Sequence, residues 1–166
     1  MVWAILIALL IGLDQASKIF IYAERVSFEH MEIIKDFFYL TYLENRGAAF
    51  SMLQNFRPFF LIMTPIAVGV MIYFFQRQKH GLARIALCLL IAGALGNFID
   101  RLLRGFVVDF FHFYPFGYDF AVFNVADIFV SVGVALLVIY ILFIYKEPVH
   151  KVSAPIKDKP PKGAFH

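Results

Sequence analysis

Four apolar runs constrain the fold of this chain more than any other feature of its sequence. They cover residues 2–22, 59–75, 83–103 and 124–145. A helix needs roughly 17–25 predominantly apolar residues to cross the hydrocarbon core of a bilayer, and each run reaches that length. The sequence therefore predicts an all-α membrane protein built as a bundle of four transmembrane helices.

The composition supports lipid as the surroundings of this bundle. Hydrophobic residues make up 61% of the chain and charged residues 16%, against about 25% charged residues in a typical soluble domain. The formal net charge of +3 is too small and too scattered to indicate a nucleic-acid partner. The first run has no basic segment before it, which favours a retained helix over a cleaved signal peptide.

The distribution of Lys and Arg predicts the orientation in the membrane. Basic residues mark cytoplasmic segments, and they occur in the short connector 76–82 and in the tail 146–166. We therefore expect both termini in the cytoplasm. We expect residues 1–145 to form a single membrane-embedded domain, and the basic, Pro-containing tail 146–166 to be disordered.

The two connectors on the extracytoplasmic side have different patterns. The first, 23–57, contains the strand-forming stretch FFYLTYLEN at 37–45 and the turn signal NRG at 45–47. It predicts a small extracytoplasmic β platform. The second, 104–123, is aromatic and carries Gly and Pro breakers, and it predicts a second extracytoplasmic loop.

Polar residues of the first, third and fourth runs, together with Asp109 just past the third, fall toward the extracytoplasmic end of the bundle. The first and third helices rise toward that face and the fourth descends from it, at about 1.5 Å per residue. The residues concerned are Asp14, Lys18, Asn97, Asp100, Arg101, Asp109, Asn124 and Asp127. Ionisable groups inside a membrane are costly and usually mark function. This convergence predicts a functional site at one end of the bundle.

Asp109 and Asp127 are the strongest candidates for chemistry. On one continuous helix their separation of 18 residues would be about 27 Å, but Pro115 and Gly117 permit the chain to reverse between them. Two adjacent carboxyls cannot both ionise easily, so one holds a proton while the other accepts one from water. Such a pair can hydrolyse a peptide bond with activated water and without a metal.

Simpler explanations exist for the individual residues. Asp127 and Asn124 lie where a helix begins, and they suit helix capping. Asp14 and Lys18 are spaced to pair with each other along one helix. Asp100 can form an ordinary ion pair with a neighbouring arginine.

Other functional classes are less well supported. A small polytopic transporter using the acids as a proton relay would favour acids near mid-membrane and repeated halves. A metalloprotease would need HExxH, which the sequence lacks. A serine protease would have to pair Ser131 with His112, outside any Gly-x-Ser pattern.

Five ordered blocks resemble one known family. They are DQASK at 14–18, NRGAAFS at 45–51, GALGNFIDR at 93–101, VVDF at 107–110 and FNVAD at 123–127. The chain up to about residue 145 is similar to the lipoprotein signal peptidases, or signal peptidases II. These are bacterial intramembrane aspartic peptidases.

The resemblance implies both a reaction and its residues. Asp109 and Asp127 would be catalytic, with no metal and no other cofactor. Substrate-binding or supporting roles would fall to Asp14, Lys18, Asn45, Gly47, Asn97, Asp100, Arg101 and Asn124. The substrate would be a diacylglyceryl-modified prolipoprotein, cut just before its lipid-modified cysteine. The cyclic peptide antibiotic globomycin would be an inhibitor, and the site would face the exterior of the bacterial cytoplasmic membrane.

Overall fold

The structure is a computed structural model that describes residues 1–47 and 56–145. Two predictions therefore lie wholly or partly outside the described residues. These are the disordered tail 146–166 and most of the block at 45–51.

Four helices form the body of the protein. They are α1 (Val2–Ala23), α2 (Arg57–Arg77), α3 (Gly81–Leu103) and α4 (Val125–Ile139). A π-helical segment, Tyr140–Ile144, extends α4. Within the described ranges, these are the helices long and apolar enough to cross a membrane, with α4 and its extension counted together.

Some helix ends differ from the sequence prediction. The second helix begins at Arg57 rather than at 59, with Pro58 in its first turn, where a residue without an N–H loses no hydrogen bond. The third begins at Gly81 rather than at 83. The fourth begins one residue after Asn124, which is its N-cap.

Helix α3 lies at the centre of the bundle and packs against α1, α2 and α4. Gly93 and Gly96 make this close packing possible. A side chain on Gly96 would collide with the carboxylate of Asp14, and one on Gly93 would come within 2.5 Å of the Ala126 carbonyl oxygen. Small residues at such crossings are typical of membrane helices.

A three-stranded antiparallel sheet covers one end of the bundle. Its strands are β1 (Met31–Ile34), β2 (Phe38–Asn45) and β3 (Val107–Phe113), in the order β1-β2-β3. The predicted fold class, four apolar helices with a small β platform, is confirmed. The segment 104–123 is more than a loop, because β3 completes the sheet from within it.

The chain reverses after β3 and returns to the start of α4. A short 3₁₀ turn spans Pro115–Gly117. The amides of Phe110 and Phe111 then donate to the carbonyl of Phe123 over 3.0 and 2.8 Å. This return places Asn124, the N-cap of α4, beside the strand that carries Asp109.

Candidate active site

Asp109 lies on β3 with its carboxyl almost completely buried, at 1% exposure. Both of its oxygens accept hydrogen bonds from asparagine amides. Asn45 Nδ2, at the end of β2, donates to Oδ2 over 2.8 Å, and Asn124 Nδ2 donates to Oδ1 over 2.5 Å. The partners of this acid are therefore neutral donors.

Asp127 lies in the first turn of α4 and takes part in a capping box. Its backbone N–H donates to Asn124 Oδ1 over 3.1 Å, and its Oδ2 accepts from the Asn124 backbone N–H over 3.1 Å. The capping explanation is therefore correct for one carboxylate oxygen. The other oxygen, Oδ1, accepts from Asn97 Nδ2 over 2.8 Å.

Asn124 joins the two acids. Its side-chain nitrogen binds Asp109 and its backbone nitrogen binds Asp127. Both acids also line one cavity of about 910 Å³. The structure thus brings together two carboxyls that are 18 residues apart in sequence.

This cavity combines a polar end with apolar walls. Arg101 and Asn97 of α3 line it beside the two acids, and Asn45 closes it from the sheet. Its remaining walls come mainly from the return segment and α4, through Tyr118, Phe120, Ala121, Val122, Phe123, Ile128, Val130, Ser131 and Val132. Such a cavity suits an extended apolar chain with one polar group to be held at its end.

Burial and charge shift the protonation of Asp109. Desolvation and, after it, the charge of the nearby Asp127 carboxylate raise its pKa to about 7. The hydrogen bonds from Asn45 and Asn124 and the charge of Lys18 act in the opposite direction. Near neutral pH, Asp109 can therefore both hold and release a proton.

Lys18 holds a buried network behind the acids. Its ammonium group contacts Asp14 at 3.0 Å and Asp100 at 3.1 Å, and all three side chains are fully buried. The third contact of Lys18 is a 2.8 Å hydrogen bond to Asn97 Oδ1. The predicted pairing of Asp14 with Lys18 is present, and it extends across two helices.

The contact with Lys18 fixes the orientation of the Asn97 side chain. An ammonium group only donates hydrogen bonds, so the amide oxygen of Asn97 must face Lys18 and its NH₂ group must face Asp127. The same oxygen also accepts from Asn124 Nδ2 over 3.2 Å. Lys18 thereby acts on Asp127 through one intervening residue.

The network also anchors the two segments that carry the acids. Asp14 Oδ1 accepts from the backbone N–H of Ala126 over 2.9 Å, at the start of α4. Asp100 pairs with Arg104 and accepts from the backbone N–H of Val108 over 3.3 Å, at the start of β3. The ordinary ion-pair explanation for Asp100 holds with Arg104, and the pair positions β3.

Arg101 connects α3 to the segment that follows β2. Its Nη2 donates to the carbonyl of Gly47 over 2.7 Å, and its guanidinium lies over the ring of Phe60, 4.3 Å from the centroid. Gly47 contributes only backbone atoms, and its amide donates to Asn45 Oδ1 over 2.9 Å. Arg101 and Gly47 thus hold Asn45 in position.

Sequence reasoning missed two features of this region. Gln15 Nε2 lies within 3.3 Å of Asp14, Asp100 and the Gly96 carbonyl, and only its place beside Asp14 in sequence could have indicated this. His112 Nε2 contacts Asp119 over 2.7 Å, which ties the return segment to β3. Both residues of that pair line the cavity.

The described residues contain no cluster of three or more His, Cys, Asp or Glu side chains arranged to hold a metal ion. The two acids instead accept hydrogen bonds from the NH₂ groups of Asn45, Asn97 and Asn124. An NH₂ group is a hydrogen-bond donor and does not ligate a cation.

Known proteins resemble this chain over most of its length. The sequence profile of "Signal peptidase (SPase) II" matches residues 6–143. A lipoprotein signal peptidase of Clostridioides difficile (strain 630) is 46% identical over 144 residues, covering 86% of this chain and 96% of the relative. One of Symbiobacterium thermophilum is 43% identical over 136 residues, covering 81% and 90%.

A solved structure shows the same architecture. A bacterial membrane enzyme superimposes with a TM-score of 0.76 at 36% identity, covering 97% of this chain and 94% of that one. The family profile, which begins within α1 at residue 6, includes the whole sheet and all of α2, α3 and α4. This chain is a multi-pass membrane protein that belongs to the signal peptidase II family.

Proposed function

We propose that this protein is an aspartic endopeptidase that removes signal peptides from diacylglyceryl-modified prolipoproteins. It cuts on the N-terminal side of the lipid-modified cysteine. Membership of the signal peptidase II family supports the substrate class. The observation that carries the mechanism is the joint attachment of Asp109 and Asp127 to Asn124 at one cavity.

The two carboxyls share one proton in the resting enzyme. The ionised carboxyl takes a proton from water as the water oxygen attacks the scissile carbonyl carbon. The protonated carboxyl gives its proton to the carbonyl oxygen, which forms a tetrahedral diol. The protonated carboxyl then gives a proton to the amine nitrogen while the other carboxyl takes one from a diol hydroxyl. The C–N bond breaks, releasing the amine and a carboxylic acid, and the pair again holds one proton. The proton belongs to the pair rather than to one residue.

The asparagines keep the acids in this reactive state. Asn45, Asn97 and Asn124 hold the carboxyls at fixed distances without adding positive charge. A cation in direct contact would favour the fully ionised pair and remove the shared proton. Arg101 lines the cavity and contributes by holding the Gly47 carbonyl and thus Asn45.

The bundle sits in the cytoplasmic membrane with both termini in the cytoplasm. The residue range 1–145 acts as one peptidase domain, with 146–166 as a cytoplasmic tail. The active site then opens near the extracytoplasmic face, where a lipid-modified cysteine can keep its acyl chains in the bilayer. The apolar walls of the cavity, including Val130 and Val132 of α4, suit the signal peptide.

The cyclic peptide antibiotic globomycin inhibits by filling the same cavity. A cyclic peptide carries amide groups and apolar side chains, and the cavity offers asparagine amides beside apolar walls. Membrane lipids surround the helices, whose outward side chains are largely apolar.

The test is cleavage of a diacylglyceryl-modified lipobox peptide by the purified protein in lipid. We expect one new amino terminus at the modified cysteine, and no cleavage of the unmodified peptide. Cleavage should persist in a chelator and stop with globomycin. Proton flux without any cleavage in the same vesicles would instead support the proton-relay transporter.

A further inference from the structure

Three arginines surround a second cavity at the end of the bundle that carries the sheet. Among the described residues, Arg46, Arg57, Arg104 and Gly105 line this cavity of about 310 Å³. Within the part of the chain that the structure describes, none of these four residues also lines the active-site cavity. We propose that this arginine pocket binds the phosphodiester group of a membrane phospholipid, with a preference for lipids whose headgroup has a net negative charge.

The position of the pocket suits a lipid headgroup. Arg57 is the first residue of α2, and Arg104 is the C-cap of α3. Both therefore lie where membrane-crossing helices leave the bilayer, at the depth of the lipid phosphates. The neighbouring apolar side chains of Phe56, Leu102 and Leu103 are at least half exposed, and they offer a surface for acyl chains.

The guanidinium groups are held in place before any ligand arrives. Arg57 donates from Nε to the carbonyl of Arg101 over 2.8 Å and from Nη2 to that of Leu102 over 3.0 Å. Arg46 donates from Nη2 to Glu44 over 2.8 Å, and Arg104 donates to Asp100. Each guanidinium has five N–H donors, so all three retain donors for another acceptor. Planar guanidinium groups match phosphate oxygens well.

The local charge balance favours a single negative charge. Lys18 and Arg104 balance Asp14 and Asp100 within the buried network, and Arg46 balances Glu44. Arg57 donates to two neutral carbonyls and pairs with no acid among the described residues, so its charge is not balanced there. A phosphodiester carries one negative charge, whereas inorganic phosphate at neutral pH carries more than one.

Gly105 is the fourth residue that lines the pocket. Its φ of +87° is in the left-handed region that favours glycine, and a side chain there would lie 3.8 Å from Arg57 Nη1. The turn at Gly105 also ends α3 and leads into β3. The pocket is therefore formed by the same turn that delivers Asp109 to the active site.

The experiment measures lipid retention by the full chain in native mass spectrometry. The protein is purified in a delipidating detergent and supplied with equal amounts of phosphatidylglycerol and phosphatidylcholine. We expect one tightly retained phosphatidylglycerol per chain. The Arg46→Gln, Arg57→Gln double variant should retain it about 30-fold less well, because each of the two arginines contributes a similar part of the binding free energy of an anionic lipid.

The matched control is the Arg25→Gln, Lys35→Gln double variant. It removes the same charge on the same side of the bundle, with Arg25 stacked on Tyr22 and outside the pocket. We expect wild-type retention from it. Arg104 is left unchanged because of its place in the buried network.

Two results would overturn the proposal. One is equal loss of retention in both double variants, which would indicate only a general charge effect. The other is displacement of the lipid by millimolar inorganic phosphate at constant ionic strength, which would indicate a site for a free anion. Cleavage of the lipobox peptide is measured separately on the same samples, so lipid retention is judged independently of the proposed peptidase activity.

Discussion

Two pairs of acids lie at the same end of the bundle, and their surroundings differ. Asp14 and Asp100 contact Lys18 directly, and Asp100 also pairs with Arg104. Asp109 and Asp127 accept hydrogen bonds from asparagine amides and a backbone N–H. A carboxylate in contact with a cation is stabilised in its charged form, whereas a buried one with neutral donors keeps access to a proton.

Under the proposed mechanism, this difference separates acids that hold the structure from acids that react. The paired acids join α1, α3, α4 and β3 by side-chain and backbone contacts. The acids with neutral partners face the large cavity. Substitutions that preserve shape and remove charge should therefore affect folding in one pair and cleavage in the other.

The largest expected effect is the loss of peptide cleavage in the Asp127→Asn variant. The amide can still accept the capping hydrogen bond from Asn124, so α4 should form normally. Loss of proton transfer should slow cleavage by about 10²–10⁴-fold or more. The measurement is the initial rate on the lipid-modified peptide.

The double variant Asp109→Asn, Asp127→Asn sharpens this test. Residues that act as one unit are not additive, so the double variant should be no slower than either single variant. Rate losses that multiply would show that the two acids act independently.

The next largest effect is on stability, in Asp100→Asn. This change removes the charge of a fully buried carboxylate that contacts both Lys18 and Arg104. Breaking a buried pair typically costs about 3–5 kcal/mol. The free energy of unfolding is measured in bicelles.

Glu44→Gln is the matched control for Asp100→Asn. It removes the acid of an exposed pair, with Arg46 and Glu44 at 54% and 38% side-chain exposure, and it should cost about 0–1 kcal/mol. If both variants were equally stable, the buried network would have no scaffolding role.

A smaller effect is expected from Asn97→Ala, because Asn97 connects the two pairs of acids. Asn97 accepts from Lys18 and donates to Asp127. Without Asn97, Asp127 keeps its capping hydrogen bond but loses the partner that fixes its other oxygen. A misplaced group can cost roughly 10²-fold in rate. The readout is kcat at saturating peptide.

Ser131→Ala provides the control for Asn97→Ala. Ser131 lines the same cavity, and we expect its removal to leave kcat close to that of the wild-type enzyme. A large loss there would favour the serine-protease explanation.

The pH dependence gives a fourth comparison. Since burial raises the pKa of Asp109 to about 7, the shared proton is lost as pH rises through that value, and kcat/KM should fall. The stability contributed by this raised pKa is fully present below the ordinary value of 3.8 and is lost as pH rises from there through about 7. Asn45→Ala removes a hydrogen bond that lowers the pKa of Asp109. The fall of kcat/KM at alkaline pH, which is the alkaline limb of the pH profile, should therefore move to higher pH.

Tyr42→Phe serves as the control for Asn45→Ala on the same strand. Its hydroxyl donates to Glu44 rather than to Asp109 or Asp127. The alkaline limb should stay where it is in the wild-type enzyme. A matching shift in both variants would point to a general effect on the sheet.

The smallest effect is expected from Cys88→Ser. Cys88 is fully buried in α3 and does not line the active-site cavity. Cleavage should be unchanged, and reagents that block thiols should not inhibit the wild-type enzyme. A marked loss of kcat would show that packing inside α3 controls the site.

Local sequence patterns predicted the helices and the end of the bundle at which polar residues gather. Apolar length identifies a membrane span without knowledge of its neighbours. Strand β3 was not predicted, because its pairing partners on β2 are 62 to 75 residues away and its aromatic residues suited a loop equally well. The π-helical segment after Ile139 has no local signal that we recognise.

The contacts within the site were only partly readable from sequence. The spacing of Asp14 and Lys18 revealed their pair, because both lie on one helix. The contacts of Lys18 with Asp100 and Asn97 depend on how α1 packs against α3, which spacing does not encode. Likewise, the donation from Asn45 to Asp109 follows from the register of β2 with β3.

Infrared titration of the carboxyl groups tests the shared proton most directly. Wild-type protein in lipid should show the band of a protonated carboxyl at mildly acidic pH, which disappears near pH 7. In Asp109→Asn this titrating band should be absent while the protein remains folded. A wild-type protein with every carboxyl already ionised well below pH 7, or an unchanged band in Asp109→Asn, would contradict the account.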